Sequence, residues 1–309
     1  MLFGITTFGD QKLEDYLDDL WVQMKIEADT VPPYAAQLFD TADTDDYMTT
    51  FETTPPLGPF GEWDMQGTVP TQRMENGYTT SMIQHGRASG VELTWMRMKY
   101  IKFKEKNSEQ TRLLEKAARE TQNIVSVLWL MNQLYQSGTK WNSEENKYLF
   151  DTAHLTLVPG LTYGNFTTDP LSPSSLRDGV TSLELTPDPQ GNVMRCRSAE
   201  LWIAAVDKMN AIEVVNKGIG YKPFSANYTT NEAVDELNLK LVPCELMPKG
   251  AWVLKDVTKR CGLKRRISLA ITSKKYTWEP TESMRFECKY VETVGAADWR
   301  GVYGSTGEG

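Results

Sequence analysis

The stretch from about Ser108 to Ser137 constrains this 309-residue chain more than any other. Leu113, Leu114, Ala117, Ala118, Ile124, Val125 and Leu128 recur at helical spacing as one mainly apolar stripe, while Glu109, Arg112, Lys116 and Glu120 take the opposite side. Asn107 or Ser108 suits the N-cap, and Gly138 suits the end. Roughly 30 residues at ~1.5 Å rise make a rod of about 45 Å. The usual helix is only about 11–12 residues long. A rod of this length is a scaffold on which other elements must be laid.

The other elements are short and mixed. Leu13, Tyr16, Leu17, Leu20, Trp21 and Met24 give residues 11–28 an amphipathic helical pattern, which Pro32 and Pro33 end. Residues 34–57 are polar, acidic and threonine-rich, and read as an extended arm outside the compact core. In 58–98 glycines and prolines punctuate short alternating segments, which predicts a long β-hairpin. So little of it is apolar that it needs another surface to lie on. Strand pieces are expected at 148–150 and 155–158, then a helix opened by Ser172 and Pro173 and running to about Leu183. A buried strand at 201–205, a helix capped by Asp207 and running to about Lys217, and strands at 239–242, 251–254 and 267–271 follow. Without regular βαβ alternation the fold class is α+β.

Charge is segregated along the chain. Residues 1–72 hold fourteen acids against Lys12 and Lys25, a net −12; the whole chain is −8, so residues 73–309 carry +4. Acidic and basic parts of this kind favour protein–protein assembly over nucleic-acid recognition, which needs a concentrated basic face. The basic stretches Arg97–Lys106 and Lys259–Lys275 are therefore expected to pair with acidic neighbours between subunits, the first as a strand with Lys102, Lys104 and Lys106 on one face. No apolar run approaches the ~20 residues of a membrane span, and the amino terminus lacks the pattern of a signal peptide. Cys196, Cys244, Cys261 and Cys288 are widely spaced and read as free thiols.

Candidate chemistry is sparse. His85 and His154 are the two histidines; Asp151 stands three residues before His154, and a hydrolase would have to use that pair. No G-x-S-x-G elbow is present, and His154 is expected to be structural. His85 is expected to be exposed or at a subunit contact. Asp40, Asp43, Asp45 and Asp46 lack the glycine and glutamate of a calcium loop, because Asp45 and Phe51 occupy those positions. Gly218 and Gly220 follow a helix instead of a strand and do not make a dinucleotide site. The expectation is no catalytic residue, no cofactor and no metal: a non-enzymatic protein.

Four local stretches, in order, are similar to those of tailed-bacteriophage major capsid (head) proteins of the Hong Kong 97 (Johnson) fold. Gly61–Asp64 to Gly77 resembles the start of their extended loop. Leu149–His154, Asn165 and Leu171–Leu176 resemble the segment after the spine helix, as in Mu-like major head subunits. Leu201–Ile203 and Gly250–Leu254 resemble two strands of the axial domain, and Arg285 to Ser305 resembles the final peripheral-domain strand.

The resemblance implies an amino-terminal arm at 1–57, an extended loop at 58–98, a peripheral domain at 99–186 and 283–309, and an axial domain at 187–282. It implies self-assembly into pentamers and hexamers of an icosahedral virion shell built in the host cytoplasm, with DNA held non-specifically inside and no membrane involved. A portal and a decoration protein are further implied partners. Residues 58–98 contain no lysine, so clasping through a loop-lysine cross-link is not expected. Fewer than 60 residues precede the hairpin, so the scaffolding protein is expected to be separate. Inter-subunit contacts are expected at Leu17, Leu20 and Trp21 of the arm and at Phe60 and Trp63 of the loop. An encapsulin-like nanocompartment shell is the alternative within this fold; a monomeric sugar- or receptor-binding module is one outside it.

Overall fold

A computed structural model describes residues 22, 24–26, 28–52, 79–93, 101–142, 145–156, 160–188, 191–193, 199–216, 239–257, 261–278 and 283–308, in 101–112 by backbone alone. The long helix, α2 (Ile101–Leu134), has 34 residues, about 51 Å of rise. It follows a short helix α1 (Tyr34–Leu38) and strands β1 (Asp40–Asp43), β2 (Met48–Glu52), β3 (Thr79–Ile83) and β4 (His85–Leu93). After it come β5 (His154–Leu155), β6 (Thr162–Tyr163), β7 (Phe166–Thr167), α3 (Pro173–Leu185), β8 (Ala199–Ala204) and α4 (Lys208–Asn216). Strands β9 (Lys240–Cys244), β10 (Trp252–Asp256), β11 (Leu263–Trp278), β12 (Ser283–Ala296) and β13 (Val302–Ser305) complete the order.

The helix begins seven residues before the expected cap. Lys102, Lys104 and Lys106 are therefore helical, and the strand expected there is absent. Its end also differs. Ser137 N donates to Asn132 O at 2.8 Å and Gln136 N to Gln133 O at 3.3 Å, with Gln136 at φ 52°. This is a Schellman end whose left-handed residue is Gln136, two positions before Gly138.

Two sheets lie along this rod. One has the order β1-β11-β12-β4, the other β7-β13-β10-β8-β9. Period-two alternation assigns the second sheet's faces. Leu201, Ile203, Trp252 and Leu254 face Leu176, Val180 and Leu183 of α3 and Ala211 and Val214 of α4. Trp202, Ala204, Val253 and Val302 face Leu130 and Leu134 of α2, together with Phe150 and Trp299. Strand β8 is buried at all six positions, as a strand covered on both faces should be. Gly304 makes the close approach possible, since a Cβ there would lie 2.7 Å from both Leu134 Cδ1 and Phe150 Cε1.

Nearer the start of α2, Leu114 and Ala118 pack with Phe286, Cys288 and Ile271 of the first sheet. The rod thus joins two sheets, one at each half. The boundary expected between 282 and 283 falls within the hairpin of β11 and β12, whose strands pair from Leu263↔Ala296 to Trp278↔Ser283. Strand β13 lies in the other sheet, between β10 and β7.

The segment after Pro33 is not an arm free of the core. Ala35, Leu38 and Phe39 are buried, and β1 pairs in parallel with β11. Asn123 fixes this segment: its Oδ1 accepts from Ala35 N at 3.0 Å and its Nδ2 donates to Pro32 O at 2.7 Å. The polar composition concealed three apolar anchors and a buried amide on α2. Helix α3 starts as expected. Ser172 Oγ accepts from Ser175 N at 3.2 Å while Ser175 Oγ accepts from Ser172 N at 2.9 Å. Asp207 does not cap as expected. It ends a 3-10 turn, and its Oδ2 accepts from Gly250 N at 2.7 Å.

Candidate assembly interface

Leu17, Leu20, Trp21, Phe60 and Trp63 all lie outside the described residues. Two neighbours in the same helical register do not: Met24 and Ala28 are fully buried. Met24 packs with Leu114, Phe286 and Cys288 of its own chain, so the apolar pattern of 11–28 ends on this molecule. Val22 and Ile26, on the other side of that turn, are 54% and 61% exposed.

The described part of the hairpin is its root. Strand β3 pairs with β2 from Met48↔Ile83 to Glu52↔Thr79, so the ribbon starts ten residues before its expected boundary at 58. The return strand β4 joins the four-stranded sheet beside β12. Between β3 and β4 sits Gln84, buried, with neither amide atom hydrogen-bonded, although its backbone N donates to Tyr47 O at 3.0 Å. Tyr47, Met48 and Ile83 are 74%, 53% and 47% exposed, an apolar surface left uncovered among the described residues. A groove of about 370 Å³ opens beside it, lined by β3, β12, the second half of α2 and Lys140–Trp141.

The basic run of β11 is used within the chain. Lys264 Nζ lies 2.8 Å from Asp40 Oδ2, and Arg266 donates to Asp40 O at 3.2 Å with its guanidinium 4.8 Å from the centre of the Phe51 ring. Arg265 Nε donates to Glu292 Oε2 at 2.8 Å, and Gln122 Nε2 reaches the same oxygen at 3.1 Å. The pairing between the acidic front and the basic remainder was expected between subunits; at these residues it is intramolecular, because parallel pairing of β1 with β11 sets Asp40 opposite Lys264. That pairing and the strand conformation of 40–43 also remove any calcium-loop geometry.

His154 is a packing element. It is fully buried, stacks on Trp299 at 4.5 Å and 8°, and Arg300 covers the same indole at 4.5 Å. Its Nδ1 lies 3.2 Å from Glu145 Oε2 and its Nε2 3.1 Å from Leu149 O. Asp151 does not orient it, contrary to the catalytic-pair reading. That carboxylate accepts from Ala153 N at 2.9 Å and lies 3.5 Å from Lys147. Glu145, nine residues before the histidine, was the missed partner; only the tertiary turn brings it there. His85 is exposed on β4 and lines the groove.

Cys244, Cys261 and Cys288 are free and buried; Cys196 lies outside the described residues. Burial pushes the Cys261 thiol up to about 11. Gly218 and Gly220 are also outside the description. Among the described residues no three His, Cys, Asp or Glu side chains group to hold a metal, and no helix is long and apolar enough to cross a membrane.

No family model and no curated relative matches the sequence. Solved structures do match the fold. The capsid of the cyanophage P-SCSP1u superposes with a TM-score of 0.56 at 10% identity, over 87% of this chain and 86% of that one. The capsid of an empty GTA particle gives 0.52 at 10% identity over 88% and 89%. A virus-like particle from Pyrococcus furiosus gives 0.50 at 9% identity over 93% and 98%. The chain has the α+β fold of Hong Kong 97-type capsid proteins.

Proposed function

We infer that this chain is a capsid subunit that self-assembles into an icosahedral shell, a structural protein without catalytic chemistry. The observation that carries the reading is the α2 rod joining two sheets, in a fold matched over 86% of the cyanophage capsid chain. The exposed Tyr47, Met48 and Ile83 are apolar side chains that a neighbour in such a shell can cover.

In this reading the protein is the major head subunit of a tailed phage, similar to Mu-like head proteins, forming pentamers and hexamers of a virion shell around DNA. It assembles in the host cytoplasm with a separate scaffolding protein, a portal and, in some shells, a decoration protein. The residues before Tyr34 supply the arm, and the ribbon opened by the pairing of β2 with β3 carries the extended loop, with Leu17, Leu20, Trp21, Phe60 and Trp63 as contacts to neighbours. The expected peripheral domain (99–186, 283–309) and axial domain (187–282) are redrawn to follow the sheets. The four-stranded sheet with the first half of α2 makes the peripheral unit, and the five-stranded sheet with α3 and α4 the axial unit.

Expression with and without a scaffolding partner, followed by electron microscopy and sedimentation, tests the reading. Closed shells or five- and six-fold capsomers are expected; a species that stays monomeric at high concentration with scaffold present would end it. An encapsulin-like nanocompartment is the second reading, favoured by the 98% coverage of the Pyrococcus furiosus particle chain. Shells filled with a co-purifying protein in place of nucleic acid would select it.

A further inference from the structure

Two complementary patches sit side by side at the root of the hairpin. The first is the turn from β1 to β2. Asp45 and Asp46 are exposed, with no partner for either carboxylate among the described residues, and the exposed Tyr47 and Met48 follow them. The turn is a fixed knob: Thr44 N donates to Ile267 O at 2.9 Å, and Asp46 N to Thr44 Oγ1 at 3.2 Å.

The second patch is the groove of about 370 Å³. Arg87, His85 and Lys140 line it, and neither Arg87 nor Lys140 has a carboxylate partner among the described residues. Lys140 donates to Asn146 Oδ1 at 3.0 Å and lies 6.0 Å from the centre of the Tyr148 ring, two partners that carry no formal negative charge.

We propose that this surface is a two-fold contact between copies of the chain, in which the turn carrying Asp45, Asp46, Tyr47 and Met48 of each copy enters the groove of the other. The inference rests on the shell-forming reading and deepens it by assigning one subunit contact. Charge complementarity selects the occupant: two carboxylates on the knob meet the cations of the groove. Symmetry follows from position. The hydrogen bond from Gln84 N to Tyr47 O keeps knob and groove adjacent on one face. A face with both halves of a contact is self-complementary about a two-fold axis. Tyr47 and Met48, both exposed, supply the apolar cover.

The test uses two full-length variants. Asp45→Lys with Asp46→Lys makes every knob cationic; Arg87→Glu with Lys140→Glu makes every groove anionic. Each alone sets like charges against each other and should raise the protein concentration needed for assembly by about tenfold or more. Mixed one to one, the two variants form pairs in which both half-contacts join opposite charges, so shells should reappear near the wild-type concentration. Sedimentation and negative-stain images read assembly, and thermal unfolding checks that each variant is folded. If a reversed chain does not fold, Asp45→Asn with Asp46→Asn replaces it and should still raise the threshold severalfold. Wild-type shells together with unimpaired variants overturn this contact alone, as does a mixture that fails to recover. A wild-type chain that never associates overturns the shell-forming reading itself.

Discussion

Replacing Asn123 by alanine should loosen the amino-terminal segment by about 1–3 kcal/mol. The Asn123 side chain accepts from Ala35 N at 3.0 Å and donates to Pro32 O at 2.7 Å. Ala35 is 3% exposed, so its amide would be left buried without a partner, a loss of roughly 1–3 kcal/mol. Pro32 is exposed, so water can replace its lost donor for about 0.5–1 kcal/mol. Alanine's better helix propensity returns about 0.6 kcal/mol. Asn123→Asp separates the two bonds differently: it keeps the acceptor for Ala35 but sets a carboxylate oxygen against Pro32 O in a buried site, so it should cost more than alanine. Urea unfolding of the unassembled chain measures both changes. Limited proteolysis adds a local readout, since cleavage between residues 29 and 45 should accelerate in the same order. Equal losses for both variants, or an alanine variant within 0.3 kcal/mol of wild type on this ~1–3 kcal/mol scale, would show that Asn123 does not hold this segment.

Two further outcomes are expected. Glu292→Leu should destabilise by about 3–5 kcal/mol by stranding the buried Arg265, and adding Arg265→Met should recover most of that loss in a double-mutant cycle. The Cys261 thiol should resist alkylation at neutral pH in the folded chain. Because folding raises its pKa from 9.0 to about 11, its contribution is intact below pH 9 and is lost as pH rises towards 11. Tyr34, Tyr290 and Tyr303 are also shifted upward by burial, so the thiol's share is the difference between wild type and Cys261→Ala over that window.

What the sequence made legible was local. The apolar stripe on α2, the Ser172–Pro173 start of α3 and the continuous apolar run of β8 each carry their signal within one helical turn or one strand. What it hid depends on partners far away. Lys102, Lys104 and Lys106 alternate like a strand yet are helical, because good helix-forming residues extend α2 backwards. Asp40 and Lys264 are 224 residues apart and meet only through parallel pairing of β1 with β11. For His154 the nearest carboxylate in sequence was the wrong one. The hairpin root stayed hidden because Met48 and Ile83 look unremarkable until they appear paired and uncovered.

The place of β13 inside its sheet has a consequence for biosynthesis. Strands β8 and β10 leave the ribosome well before Val302–Ser305, the segment that covers one edge of β10. At about 5–20 residues per second the open edge of β10 waits on the order of 2–10 s. Throughout that interval a nascent polypeptide displays Trp252, Val253 and Leu254 beside unpaired amides, the template for mispairing with another copy. Copies translated side by side on one polysome are therefore exposed to that mispairing until each has made its last strand.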